Sequence, residues 1–434
     1  MESVSKRTLL WLGAAAFAVP TTVDVDPALA EVDVQSRGEI GGESRAFWPD
    51  DQTASRDWNT ATVGRLYLDV VKDKISARAR VFSRLDTNDR ERSVFIAEEA
   101  FVEADWRPLR LRAGFQMLNW TTTEAFHPAD VINSRYYDSA IENPEKLGEP
   151  MLSARVDIPR GNIEAFFMPF FVQPVFPSGR SRFNLGMPGH GLGDALILRR
   201  NGELEEDLNA TAFVPQWAAR VQQTFGQADL ALHFLQQQDR ALPVFAFNPV
   251  TMAARPLFQP ITQLGGTLSA ASGALLLKLE LAYRWFYRPD GRSTAYGPLI
   301  NRDHFVAAAG LEYNLPSEGG GESTLLFEGQ AFVPKQSNLP RELFPLFQHD
   351  VVAGWRYAFN DESSRSLIAL VIVDVVRPQE FFFNVGYTQR LGETWGLNAS
   401  VRLVRVPPRN PSMPVLYERL NNAHQASVNL LRYF

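Results

Sequence analysis

The chain has 434 residues, with 43 Lys and Arg against 49 Asp and Glu, six His and no Cys. The absence of Cys excludes a disulfide framework and any thiolate site, and a net charge of -6 argues against nucleic acid as a partner. Hydrophobic residues make up 45%, including 30 Phe, 11 Tyr and 9 Trp, yet no apolar run reaches the ~18 residues of a membrane-spanning helix. Such a chain is either soluble or crosses a membrane as strands.

Lys6 and Arg7 precede an apolar run from Leu9 to Val19, and Ala28 and Ala30 supply the small residues that a signal peptidase needs. Residues 1–30 therefore read as a secretory signal peptide, leaving one domain over 31–434. No Cys follows the expected cleavage point, so a lipoprotein anchor is not expected.

From there the side chains alternate with a period of two, which argues for strands and against helix. Over 63–71, Leu66, Leu68 and Val70 alternate with Arg65, Tyr67 and Asp69. Over 75–81, Ile75, Ala77, Ala79 and Val81 alternate with Ser76, Arg78 and Arg80. Over 109–117, Leu109, Leu111, Ala113 and Phe115 alternate with Arg110, Arg112 and Gln116. Further strands are expected at 94–105, 150–158, 161–171, 209–224, 227–237, 260–270, 273–288, 302–315 and 322–335. The last five are placed at 346–360, 365–377, 380–391, 394–406 and 422–434. With a first strand near 32–46 the count is about eighteen. Short turns at 72–73, 107–108, 159–162, 226–227, 271–273, 360–361 and 392–393 alternate with long connections at 47–59, 119–149, 170–208, 238–259, 288–301 and 407–421. A closed antiparallel barrel with turns at one end and loops at the other has this rhythm. Water is absent from a bilayer core, so only helices or closed sheets can cross it. The expected fold class is thus all-β, a single transmembrane antiparallel barrel of about eighteen strands.

If the apolar face meets lipid, the other face lines the lumen. That puts Arg65, Asp69, Arg78, Arg80, Glu99, Glu103, Arg110 and Arg112 inside. Lys278, Glu280, Arg284, Glu312, Glu328, Gln330 and Arg402 follow on later strands. Two readings stand side by side: a charged wall that selects solute, or a cross-strand ion-pair lattice that stiffens the barrel. Ile368, Leu370 and Ile372 are apolar on the same inner face, which implies a dry patch or a surface packed on an inserted loop.

Long loops in a compact chain are usually functional or disordered, and 119–149 is too aromatic for disorder. Trp120, Phe126, Asp130, Asn133 and Arg135 are the candidates for a constriction folded into the barrel mouth. The competing role for Asp130 and Asn133 is to cap turns and satisfy backbone groups. Gly114, Gln116, Trp120, Phe126, Pro128, Asp130 and Asn133 follow a G-x-Q, W, F-x-P-x-D-x-x-N pattern. This resembles a large proteobacterial family of uncharacterised outer-membrane proteins, with Thr121 standing where a Gly is usual. Members of that family are often companions of RND-type inner-membrane exporters, and the resemblance implies movement of hydrophobic or lipid-like solutes. Phe-, Met- and Pro-rich segments recur at 166–177 and 245–258, as solute contacts or as loops packed on one another.

At the C-terminus, Ala426, Val428, Leu430 and Phe434 fall on one side of an extended chain, opposite Gln425, Ser427 and Asn429. A strand that finishes on Phe looks like the closing strand of an outer-membrane barrel, the signal read by the barrel-assembly machinery. Arg432 departs from the pattern, since an apolar residue is usual there. No nucleophile motif, phosphate loop or metal-ligand spacing is present, so neither enzyme activity nor a cofactor is expected. Gly186 to Gly191 is Gly-rich but contains Pro188 and has no Lys partner. The expected function is an outer-membrane channel for small solutes, located in the bacterial outer membrane and in contact with its lipid. The alternatives are a conduit for hydrophobic or lipidic solutes working with an exporter, and a structural barrel that binds a partner protein.

Overall fold

The computed structural model describes residues 32–48, 56–184, 196–200, 202–205, 213–241, 244–248, 253–288, 293–294, 297–298, 301–315, 320–410, 416–421 and 423–434. Segment 1–30 and the Gly186–Gly191 loop lie outside them. Eighteen strands form one antiparallel sheet. In chain order they are β1 (Asp33–Trp48), β2 (Trp58–Lys72), β3 (Ile75–Asp86), β4 (Val94–Trp106), β5 (Leu109–Gln116) and β6 (Glu149–Ile158). Then come β7 (Gly161–Phe170), β8 (Phe213–Phe225), β9 (Ala228–Gln238), β10 (Pro260–Ser272), β11 (Leu275–Phe286) and β12 (His304–Leu315). The last six are β13 (Glu322–Pro334), β14 (Asp350–Ala358), β15 (Ser366–Asp374), β16 (Phe381–Leu391), β17 (Trp395–Arg405) and β18 (His424–Tyr433).

Each strand pairs with its chain neighbours, and β1 pairs with both β2 and β18, so the sheet closes and has no free edge. The terminal residue takes part: Phe434 N–H donates to the Gly38 carbonyl at 3.0 Å, and Gly38 N–H donates back at 2.8 Å. Strand 14 is shorter than the 346–360 expected, because Phe347 leaves the sheet to pack on Phe126 and Phe382 at ring separations of 5.8 and 5.1 Å.

The outer face is apolar. Leu111, Val156, Leu232, Leu281, Phe327, Val401 and Leu430 point outward and are exposed. Trp106, Phe225, Tyr313 and Trp395 ring the turn end, and Trp48, Trp58, Phe213, Trp285 and Phe305 ring the loop end. An apolar band between two aromatic girdles is the lipid face of an outer-membrane barrel. We expect Leu281→Arg, in the middle of β11, to lower the stability of the refolded barrel by about 2–4 kcal/mol. A denaturant titration in lipid vesicles checks this.

One bulge matters for the interior. Arg80 faces Glu99 and Val81 faces Ala97, so Glu98 is an extra residue in β4. Outward parity runs through Phe95 and Ala97 and resumes at Ala100 and Val102. The bulge turns Glu98 into the lumen, where it is buried.

Candidate lumen site

The inner face of β1–β7 is a lattice of opposite charges. Arg65 holds Glu39 at 2.9 Å and Glu98 at 3.0 Å, and Arg80 holds Glu98 at 2.7 Å. Arg78 pairs with Asp69 at 2.6 Å and approaches Glu99 at 4.0 Å. Arg110 pairs with Asp157 at 2.9 Å, and Arg112 pairs with Glu103. Arg65, Arg78, Arg80, Glu99, Glu103, Arg110 and Arg112 are thus brought onto one wall, each beside an opposite charge. Glu98 joins them, although simple alternation passes over it. The Glu-Glu doublet with its change of apolar parity was the signal.

Half the ring away, β13–β16 present a different surface. Leu326, Ile368 and Leu370 are partly buried on the inner side, and Gly354 and Gly386 lie between them. Leu370 and Ile372 share one apolar cluster with Ala125 and Phe126 of the segment that joins β5 to β6.

That segment, 117–148, crosses the lumen. At its root Asn133 accepts from Leu118 N–H at 2.9 Å and donates to the carbonyls of Gln116 and Leu147 at 3.0 and 2.9 Å. Gln116 in turn donates to the Met151 carbonyl at 3.1 Å. Gly114 has φ +130°, and a Cβ there would lie 2.2 Å from the Ala100 carbonyl oxygen; one on Gly148 would lie 2.2 Å from that of Ala97. Both positions therefore demand glycine. Trp120 is fully buried against Phe166 at 5.8 Å and His233 at 5.0 Å, with the Arg220 guanidinium 5.7 Å from its ring. Asp130 is buried between Arg135, at 3.6 Å, and Lys146.

The far side of the segment is held by two wall carboxylates. Glu280 on β11 accepts from the N–H groups of Thr122 at 2.5 Å, Thr123 at 3.0 Å and Ala129 at 3.1 Å, and from the Thr123 hydroxyl at 2.8 Å. Glu328 on β13 accepts from the N–H groups of Glu124 and, at 2.8 Å, Ala125. Lys278 holds Glu124 at 2.6 Å, and Arg356 reaches it at 3.3 Å. Arg402 on β17 holds Glu142 at 2.8 Å, and Arg45 on β1 donates to the Asp138 carbonyl at 3.0 Å. Trp120, Phe126, Asp130, Asn133 and Arg135 all lie in this cross-lumen segment. Trp120, Asp130 and Asn133 stabilise its root, Phe126 packs on the far wall, and Arg135 braces it by donating to the carbonyls of Asp130 and Pro144.

Burial holds the His127 imidazole at a pKa of about 4. Asp130 and Glu124 oppose that shift, and Arg135 and Lys146 reinforce it. A released segment would titrate near the ordinary 6.5. The packed arrangement is therefore at full strength above pH 6.5 and weakens as pH falls from 6.5 towards 4, by about 3 kcal/mol at most. We expect proteolysis within 117–148 to accelerate more than tenfold between pH 7.5 and pH 5, and His127→Gln to flatten that dependence.

On the loop side of the segment lies a cavity of about 270 Å³. Its walls include Phe126, Phe176, Phe332, Phe347, Arg240 and Arg284. The loops above pack on one another: Tyr137 stacks on Phe176 at 5.4 Å, and Leu196, Ile197, Leu257 and Phe258 are buried together at the level of 196–205 and 253–258. No cluster of metal ligands exists among the described residues.

No family model matches this sequence, and no curated protein matches it. Solved structures do share its fold. OccAB1 of Acinetobacter baumannii is 9% identical over 93% of this chain and 96% of its own, with a TM-score of 0.51. OccK11 (OpdR) of Pseudomonas aeruginosa is 10% identical over the same shares, with a TM-score of 0.50. At such identities the likeness is one of fold.

Proposed function

We propose that the chain is a porin-like channel of the bacterial outer membrane, in which segment 117–148 narrows a water-filled lumen. The observation that carries this reading is the crossing itself. One connection reaches from β5 to β11, β13, β14, β16 and β17 and is bonded to the wall at each. Small solutes pass beside it. Trp120, Phe126, Asp130, Asn133 and Arg135 fix the shape of the constriction. The Arg65, Arg78, Arg80, Glu99, Glu103, Arg110 and Arg112 wall orients polar solutes as they pass. Because each of these charges has an opposite neighbour, the wall selects by dipole and size more than by net charge. The first 30 residues direct export, and the closing strand β18 presents its outward Val428 and Leu430 to the assembly machinery.

The test is conductance in planar bilayers. We expect small, steady unitary currents and a reversal potential near zero in a KCl gradient. Converting Glu98, Glu99 and Glu103 together to Gln uncovers the arginines and should make the pore clearly anion-selective. A folded barrel that gives no current would defeat this reading. It would favour a second one, a conduit for hydrophobic compounds, which the Phe-lined cavity supports.

A further inference from the structure

We infer that the cavity on the loop side of segment 117–148 is a binding site for an organic monoanion with an apolar body. This rests on the reading of the lumen as a solute path and names the class of solute. The apolar part of the site is Phe126, Phe176, Phe332, Leu346 and Phe347, which form a surface suited to a flat or branched hydrocarbon.

The charged part is set apart on the wall and carries a positive surplus. Arg240 is 1% exposed and spends its pair on Glu149, at 2.9 Å, while its Nη1 has no hydrogen-bond partner. Arg284 gives Nε and Nη2 to the amide oxygen of Gln263 at 3.0 and 2.8 Å, and its nearest carboxylate, Asp239, stands 3.8 Å away. Asp130 is already shared by two cations, Arg135 and Lys146. Glu142, also on the lining, is neutralised by Arg402. A buried guanidinium with an unmade bond costs free energy, and an anionic head group seated at Arg240 and Arg284 removes that cost. A neutral apolar molecule would fill the same space without making that bond, and a cation would be repelled.

The test uses the full chain in dodecyl maltoside, with 2-naphthoate, 2-naphthylmethanol and 2-naphthylmethylammonium as probes in equilibrium dialysis. The naphthoate is expected to bind one per chain and at least tenfold tighter than the alcohol, with the ammonium weaker still. Arg240→Met combined with Glu149→Gln keeps the acceptor for the Ser134 N–H and removes the unpaired Nη1 donor without changing the net charge of the site. This double variant should weaken naphthoate at least tenfold and leave the alcohol unchanged. Leu346→Trp leaves every charge in place and should abolish binding of both by filling the cavity. Equal affinity for all three probes, or naphthoate binding unmoved by either variant, overturns the inference. Bilayer currents on the same preparations separate the two readings. Anion binding without current defeats only the channel, and current from a protein that binds all three probes equally defeats only the site.

Discussion

Replacing Glu280 and Glu328 together with Ala is expected to raise the unitary conductance severalfold and to make segment 117–148 protease-sensitive within a folded barrel. The two carboxylates between them accept five backbone N–H groups, from Thr122, Thr123, Ala129, Glu124 and Ala125. A hydrogen bond to a charged acceptor contributes roughly 1.5–3 kcal/mol, and the orphaned donors must find water instead. That sum exceeds what the apolar contacts of Ala125 and Phe126 and the part-exposed ion pairs of Glu124 with Lys278 and Arg356 can retain, so the segment detaches there. Strand pairing does not depend on either side chain, so heat-modifiable migration on gels should persist. Unchanged conductance together with unchanged protease resistance would sink the assignment of the segment as the constriction.

The second large effect is expected at the root. Trp120→Ala empties a site bounded by Met151, Phe166, Met168, Ala218 and Leu235. Removing a fully buried Trp costs roughly 3–5 kcal/mol. The loss falls on the segment first, since Trp120 lies between its two anchors, Asn133 and Glu280. Amide exchange over 118–147 should quicken by two orders of magnitude or more, with exchange in β10–β18 unaltered. Equal protection of the segment in both proteins would show that the root does not depend on Trp120.

Glu98 shows where one-dimensional reading falls short. Period-two parity assigns Glu99 to the lumen and passes over its neighbour, although Glu98 is the one that binds both Arg65 and Arg80. A bulge breaks parity by a single residue, and only a paired strand reveals which residue is extra. The charged candidates on β2–β5 were legible because each strand carries its own alternation. Asp69, Glu99 and Glu103 were legible as partners in the same way, but Asp157 was not, since it meets Arg110 from a strand 47 positions later.

Alternation, turn chemistry and connection lengths determined the all-β class, the number of strands and the two faces of the wall. These are local properties: successive side chains of an extended chain point to opposite sides whatever the rest of the molecule does. The path of 117–148 was decided only by the closed barrel. Thr122 and Glu280 are 158 positions apart, and Glu124 and Glu328 are 204 apart. Closure brings β11 and β13 round to face the segment, and a buried carboxylate takes whichever donors stand before it. No pattern within a strand encodes that meeting, because it depends on which strands the ring sets opposite one another.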